Sequence, residues 1–300
     1  MANTFIKPSV IASTGLATLY NTMVMSGLVW RDFDVEFRGK VGDTVTVRKP
    51  AVFDAEVFDR QQGITLQDVV EDSIDIKLDT IANVSFPVTD EQMTLEIEDF
   101  QVQLLNPAME AIAQKIDGDV AEELVDAANA AGQVASADEE NANDAFRAAR
   151  AILSRNKLPT LDRYAVLSPE GISAVLGDDL LISANRAGTT DALREANVGR
   201  LLGFDTYETQ VLGDGAGSKG QADGVAFHRS AITLAIRPLD APKGLASSQV
   251  AVQNYRGLSL RVVYAYNNTY KQDEVSIDVL YGIETTREEA AVEIDLGQGS

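Results

Sequence analysis

The chain has no cysteine and a single histidine, His228, among its 300 residues. The first absence excludes a disulfide framework, a thiolate metal site and a cysteine nucleophile; the second removes multi-histidine metal sites and most acid–base schemes built on imidazole. Basic residues are scarce as well. Lys and Arg number 25 against 46 Asp and Glu, for a formal net charge of −21, so a phosphate-neutralising surface for general nucleic-acid binding is not expected. No run of 18 apolar residues occurs, and the opening Met-Ala-Asn-Thr-Phe-Ile-Lys-Pro has no charged region leading into an apolar one. Neither a membrane-spanning helix nor a secretory signal is expected, and the sequons at Asn83 and Asn267 carry no weight as glycosylation sites.

What the chain does have is a 45% hydrophobic content, enough to build one large domain or two small ones. Its charge is unevenly placed. Residues 1–49 hold 6 basic and 4 acidic side chains, residues 50–145 hold 3 and 23, and residues 146–300 hold 16 and 19. The acidic third is also strongly periodic, which separates it from a disordered acidic tail.

The periodicity predicts a sequence of elements. A helix near Ser9 to Met25, rich in Ser and Thr, looks marginal without a partner, and reads as an arm before it reads as a core. Phe33, Val35 and Phe37 alternate with charged residues as a strand does, and a turn over Gly39–Asp43 leads into Thr44–Lys49. From Val52 to Pro87 the pattern stays β-like, with a polar middle at Phe58–Ile64, and reads as a long two-stranded excursion that needs something to lie on. Apolar residues at Val102, Leu105, Met109, Ile112, Ile116, Val120, Leu124 and Ala127 predict one long exposed helix over Asp99–Ala131, kinked or begun at Pro107. Its other face carries Glu110, Asp117, Asp119, Glu122, Glu123 and Asp126. A basic helix over Asp144–Asn156 follows, then a buried strand Tyr164–Leu167, a helix opened by Ser168-Pro169-Glu170, and strands at Phe204–Val211, Val225–His228 and Ile232–Ile236. Two long strands, Leu258–Tyr266 and Glu274–Tyr281, enclose a polar turn, and a last strand lies near Ala290–Ile294.

Motifs with chemical potential are few. Gly215-Ala216-Gly217-Ser218-Lys219-Gly220 fits G-x-G-x-x-G, yet a strand rather than a helix follows it, so a hairpin turn is the better reading. His228 ends a strand without a nucleophile elbow anywhere in the chain, and reads as a packed or edge histidine. The adjacent pairs Asp178-Asp179 and Glu288-Glu289 point in different directions, unlike a catalytic dyad. Trp30, Tyr264 and Tyr266 read as core or interface anchors. No catalytic, cofactor-binding or metal-ligating residue is expected.

A helix, a hairpin arm, a long helix and a terminal ribbon that do not close on themselves imply partners, which identical copies supply most simply. The order of elements resembles that of tailed-bacteriophage major capsid proteins of the Hong Kong 97-type fold. Gly199–Tyr207 resembles that family's strand entry into the axial domain, Ala226–Ile232 its next strand, and Gly257–Val262 with Ile277–Gly282 its closing ribbon.

The resemblance implies an α+β fold divided into an N-terminal arm (1–40), an E-loop hairpin (41–86), a peripheral domain with a spine helix (87–145), an axial domain (146–256), a peripheral β-ribbon (257–284) and a C-terminal strand and tail (285–300). It implies a protein without enzymatic activity or cofactor that assembles into hexamers and pentamers of an icosahedral shell around phage double-stranded DNA, in the virion capsid after assembly in the host cytoplasm. Expected partners are identical copies, a scaffolding protein, a portal and a decoration protein, with DNA met only by non-specific proximity and no membrane. Fused-scaffold relatives carry a long N-terminal extension that this sequence lacks, so a separate scaffold or a cleaved product is expected. Some relatives cross-link Lys to Asn; Lys77 with Asn267 or Asn268 would be the candidates by element, and non-covalent assembly is the default. Expected inter-subunit contacts are Arg38, Lys40, Arg48, Lys49, Arg60, Lys271, Asp273 and Glu274. The alternative is another self-assembling phage structural or scaffold protein making rings or tubes, or an encapsulin-like compartment shell.

Overall fold

The computed structural model describes residues 8–32, 42–48, 60, 73–89, 104–137, 142–177, 199–213, 222–242, 249–255, 258–267, 269–270 and 272–296. The expected strand at Phe33–Phe37 lies outside them, as does the polar middle at Phe58–Ile64 apart from Arg60.

Helix α1 (Pro8–Thr22) buries Ile11, Ala12, Leu16 and Leu19 on one face. This stripe packs on the long helix α3 (Asn106–Ala130) and on strands β11 (Val250–Tyr255) and β12 (Leu258–Asn267). The helix expected to be a partnerless arm is therefore part of the main core, and its weak intrinsic propensity is offset by apolar burial. A single turn, α2 (Met25–Leu28), follows.

The larger sheet is organised by β13 (Gln272–Thr285), which is longer at both ends than its alternation suggested. On one flank β13 pairs antiparallel with β4 (Thr80–Thr89), from Gln272 opposite Thr89 to Tyr281 opposite Thr80. On the other flank it pairs end to end with β12 and with β10 (Ile232–Arg237). Outside β12 lies β11, and outside β10 lies the short parallel strand β1 (Trp30–Asp32). Residues 80–86, assigned above to the hairpin excursion, thus run inside this sheet, because Ala82, Val84 and Phe86 turn alternately toward the core.

The excursion itself is a two-stranded ribbon of β2 (Thr44–Arg48) and β3 (Ser73–Lys77), antiparallel with Thr44 opposite Lys77. Its root is not without apolar support. Ile76 and Leu78 join Ala235, Leu239 and Leu280 in a small cluster separate from the main core, with Val45 against it. The crossing is tight, since a Cβ on Gly282 of β13 would sit 2.2 Å from the Lys77 carbonyl oxygen. Glycine is required there because another backbone occupies the side-chain position.

A second sheet runs in the order β5 (Val134–Ser136), β14 (Ala291–Asp295), β9 (Gly224–His228), β6 (Arg163–Leu167), β8 (Phe204–Glu208) and β7 (Arg200–Leu201). Helix α4 (Ala142–Arg155) packs on it through Ala145, Phe146, Ala149 and Leu153, with Phe146 edge-on to Phe204 at 6.3 Å between centroids. Helix α5 (Pro169–Gly177) opens as its sequence predicts, the Ser168 hydroxyl accepting the Gly171 amide at 3.0 Å.

Helix α3 ties the sheets together, touching β4, β10 and β13 of the first and β9 and β14 of the second. Pro107 sits in its first turn, where a missing N–H costs nothing. Its end is closed at Gly132, at φ 63°, with the Gln133 amide reaching back to the Ala128 carbonyl at 2.9 Å. Ala108, Met109, Ile112, Ile116, Val120, Leu124 and Ala128 are buried, so this helix is central rather than exposed.

Candidate assembly surfaces

The basic stretch that leads into the ribbon was the first expected contact surface. Arg38, Lys40 and Lys49 lie outside the described residues, Arg48 closes β2 opposite Ser73, and Arg60 sits exposed in a turn. The structure therefore ties one of these five cations to a strand and leaves their mutual arrangement outside what it describes. On the ribbon, Thr46 donates to Asp75 at 2.7 Å across the strands, an exposed pair.

The turn between β12 and β13 is the second. Lys271 lies outside the described residues; Asp273 and Glu274 are half-buried on β13. Glu274 accepts a hydrogen bond from the Asn267 amide at 2.8 Å, across the same hairpin, so its carboxylate is engaged within its own subunit. Asn267 also accepts the Thr269 amide at 3.0 Å, which shapes the turn. What this tip presents outward is aromatic: Tyr266 is 46% exposed and Tyr270 71%. Tyr264, one alternation inward, is more enclosed, and burial, with Asp273 nearby, pushes its phenol up to about 12.

Between tip and ribbon root, the sheet carries a polar network on side chains from β4, β12 and β13. Arg261 donates twice to Asp278 Oδ2, at 3.0 and 2.6 Å, and once to the Asp240 carbonyl at 2.8 Å. Asn83 donates to Asp278 Oδ1 and to the Ser276 hydroxyl, and Ser85 donates to Asn83 and Ser276. Asp278 is buried and Arg261 nearly so. None of this was anticipated. The available signal was an aspartate set between Ile277 and Val279 in an apolar strand, where a charge needs a partner.

The acidic helix divides into three kinds of side chain. Glu110, Glu122 and Asp126 are exposed. Asp119 accepts from the Tyr281 hydroxyl and from Lys115, and Glu123 accepts from Thr285 at 2.6 Å. Tyr281 is pushed above the ordinary phenol range by burial and by the Asp119 carboxylate it meets. Asp117, expected on the solvated face, is 5% exposed and accepts the backbone amides of Val24 and Ser26.

No constellation for catalysis emerges among the described residues. His228 Nδ1 accepts the Ser230 amide at 3.2 Å and lies 2.8 Å from the Ser230 hydroxyl, which makes it a turn-forming group. Burial lowers its pKa, with Arg163 and Arg287 adding to that and Asp162 opposing. Glu288 and Glu289 lie on a single 3₁₀ turn, while Asp178, Asp179 and the glycine-rich stretch 215–220 fall outside the described residues. No cluster of three potential metal ligands occurs among the described residues, and no described helix is long and apolar enough to cross a membrane.

Residues 53–255 match the phage capsid protein family. No curated protein sequence matches the chain. Among solved structures, one from Mycobacterium phage Che8 aligns with 91% of this chain and 90% of its own at 19% identity and a TM-score of 0.59. The capsid structure of Cyanophage P-SCSP1u aligns over 92% and 88% at 14% identity and a TM-score of 0.61. The mature capsid of bacteriophage PhiM1 aligns over 93% and 88% at 14% identity and a TM-score of 0.60.

Proposed function

The chain belongs to the phage capsid protein family, and from that premise we infer that it is a major capsid protein of the Hong Kong 97-type fold, many copies of which close into an icosahedral shell enclosing phage DNA. The observation that carries this reading is the family match over residues 53–255 joined to an architecture aligned with capsid subunits over nine-tenths of its length. The protein acts as structure rather than as catalyst, and its place is the virion capsid.

The finer division is as follows. Residues 1–40 form an N-terminal arm whose helix α1 docks on the main core, 41–86 an E-loop whose last residues, from Thr80, already run as β4 in the larger sheet, 87–145 a peripheral domain with α3 as its spine, 146–256 an axial domain, 257–284 a peripheral ribbon and 285–300 a closing strand and tail. Subunits group into hexamers and pentamers, assembling in the host cytoplasm with a scaffolding protein and a portal, and accepting a decoration protein. Contacts between subunits use Arg38, Lys40, Arg48, Lys49 and Arg60 from the arm and ribbon and Lys271, Asp273 and Glu274 from the hairpin tip. Exposed Glu110 and Glu122 on α3 face the lumen, where their charge keeps packaged DNA from adhering to the wall.

Size-exclusion chromatography with electron microscopy of the purified protein tests this reading. Closed shells of uniform size are the expected result. Rings or tubes would favour a different phage assembly, and a stable monomer at every concentration would reject both.

A further inference from the structure

The larger sheet ends in strands that the sequence treats differently. β4 carries Pro87 near its end, a residue that blunts an edge because it has no N–H to offer. β1 has three residues and includes Arg31 and Asp32. β11 reads Val-Ala-Val-Gln-Asn-Tyr, six residues with no proline and no charge. It carries neither the proline nor the charge that keeps many natural edges from pairing.

The direction of its backbone groups follows from its pairing. The Tyr264 amide donates to the Gln249 carbonyl at 2.8 Å, and the register then runs from Val250 opposite Val263 to Tyr255 opposite Leu258. Bonded and non-bonded pairs alternate along an antiparallel ladder, so that one bond sets the phase. Ala251 and Gln253 direct their N–H and C=O groups at β12; Val250, Val252 and Asn254 direct theirs away from it. Among the described residues nothing bonds to those outward groups. On the faces of the sheet the side chains alternate as well, with Ala251 buried and Val252 37% exposed.

We propose that the outer edge of β11 accepts an extended strand from a second copy of this chain, continuing the six-stranded sheet across a subunit boundary. This rests on the shell-forming function inferred above, which makes another copy the strand source at the highest local concentration. Recognition is by main-chain hydrogen bonds to Val250, Val252 and Asn254, with Val252 adding apolar contact. An uncharged edge neither selects nor repels by charge, so the incoming strand is fixed in register by backbone pairing and by the shape of the surrounding shell.

Val252→Pro removes one outward donor and leaves the bonds to β12 in place, whereas Val252→Lys keeps the backbone and adds the kind of charge that guards natural edges. Both variants are expected to keep the circular dichroism spectrum of the subunit and to lower shell yield, measured by sedimentation, at least about tenfold. If the parent itself makes no shells, the functional reading fails and not the edge. Should the proline variant misfold, the lysine variant and residue-resolved hydrogen exchange on parental shells decide. In shells the Val252 and Asn254 amides are expected to exchange within about tenfold of Ala251 and Gln253. Parental yield from Val252→Lys, or outward amides exchanging more than about a hundredfold faster than the inward ones in intact shells, would overturn the proposal. Because the chain has no cysteine, Val252→Cys bearing a benzophenone identifies the neighbour directly: a photolink to a second copy supports the edge, and one confined to its own chain rejects it.

Discussion

The Ser26 amide donates to Asp117 Oδ1 at 3.0 Å across 91 positions of sequence, and the Val24 amide donates to the other carboxylate oxygen at 2.7 Å. A side chain in the middle of α3 thus holds the point where α1 gives way to α2. Burial pushes the Asp117 pKa up, and the amides of Ser26 and Val24 pull it back.

Asp117→Ala strips two enclosed amides of their acceptor and is expected to lower subunit stability by about 1–3 kcal/mol in urea unfolding of unassembled protein. The pH dependence has a definite sign. With the folded pKa above the unfolded one, the native state holds the extra proton, so the stability contributed by titration is present at low pH and lost as pH rises through the folded value. The advantage of the parent over Asp117→Asn should shrink as pH rises across that window; an advantage that grows would contradict the assignment.

Gly282→Ala drives a methyl into the Lys77 carbonyl, 2.2 Å away. The ribbon root must lift or the sheet must shift, at a cost of about 1–3 kcal/mol. Hydrogen exchange in β3 should accelerate while β12 keeps its protection. Unchanged exchange in β3 would show that the ribbon does not rest on this glycine.

Arg261→Ala leaves Asp278 buried with only Asn83 and Ser276 beside it. Removing one partner of an enclosed pair costs about 3 kcal/mol, much of it from the charge left behind. The double variant with Asp278→Ala should therefore be more stable than the sum of the single losses predicts. Simple additivity would mean that the two side chains are not coupled.

Tyr264 ionises at about 12, and Tyr281 lies higher still by direction. Both shifts are upward, so the stability they contribute is complete below the ordinary phenol value of 10.0 and is lost as pH rises through the folded values. The melting temperature should begin to fall near pH 10, and Tyr264→Phe with Tyr281→Phe should flatten that fall. An ultraviolet titration finding all eight tyrosines ionised together near pH 10 would reject it.

Arg48→Glu with Lys49→Glu is expected to leave the subunit folded and to reduce shell yield more at low salt than at high salt, because exposed charge pairs are screened. Equal yields at every ionic strength would remove these cations from the assembly surface.

Period-3.6 patterns placed α3 and α4, the cap and proline opened α5, and period-2 or apolar runs placed β6, β8, β9, β10, β12, β13 and β14, while the short or edge strands β1, β5, β7 and β11 gave no such signal. These patterns misjudged what covers each element. Nothing local in Ser9–Met25 announces that Ile11, Leu16 and Leu19 find their partners on α3, β11 and β12. Asp117 looked solvated because i+3 and i+4 spacing tells which side chains share a face and not what a distant segment brings to it. Nothing local marks Gly282 as required, because the crossing backbone that demands it, at Lys77, lies some 200 positions away. Of the expected contact residues, Glu274 also meets Asn267 across its own hairpin, a pairing that the cross-strand register creates and that side-chain type alone does not announce.

The end-to-end arrangement of β12 and β10 along one flank of β13, with β4 spanning the junction on the other flank, also determines how the subunit bears tension. Pulled along its length, β13 cannot part from its neighbours one bond at a time as an unzipped hairpin does; the rows must slide together, and many bonds share the load at once. β4 acts as a splint across the joint between β12 and β10. A wall built from such subunits resists stretching best along the direction of that strand, so force from within should first yield at contacts between copies while each sheet stays whole.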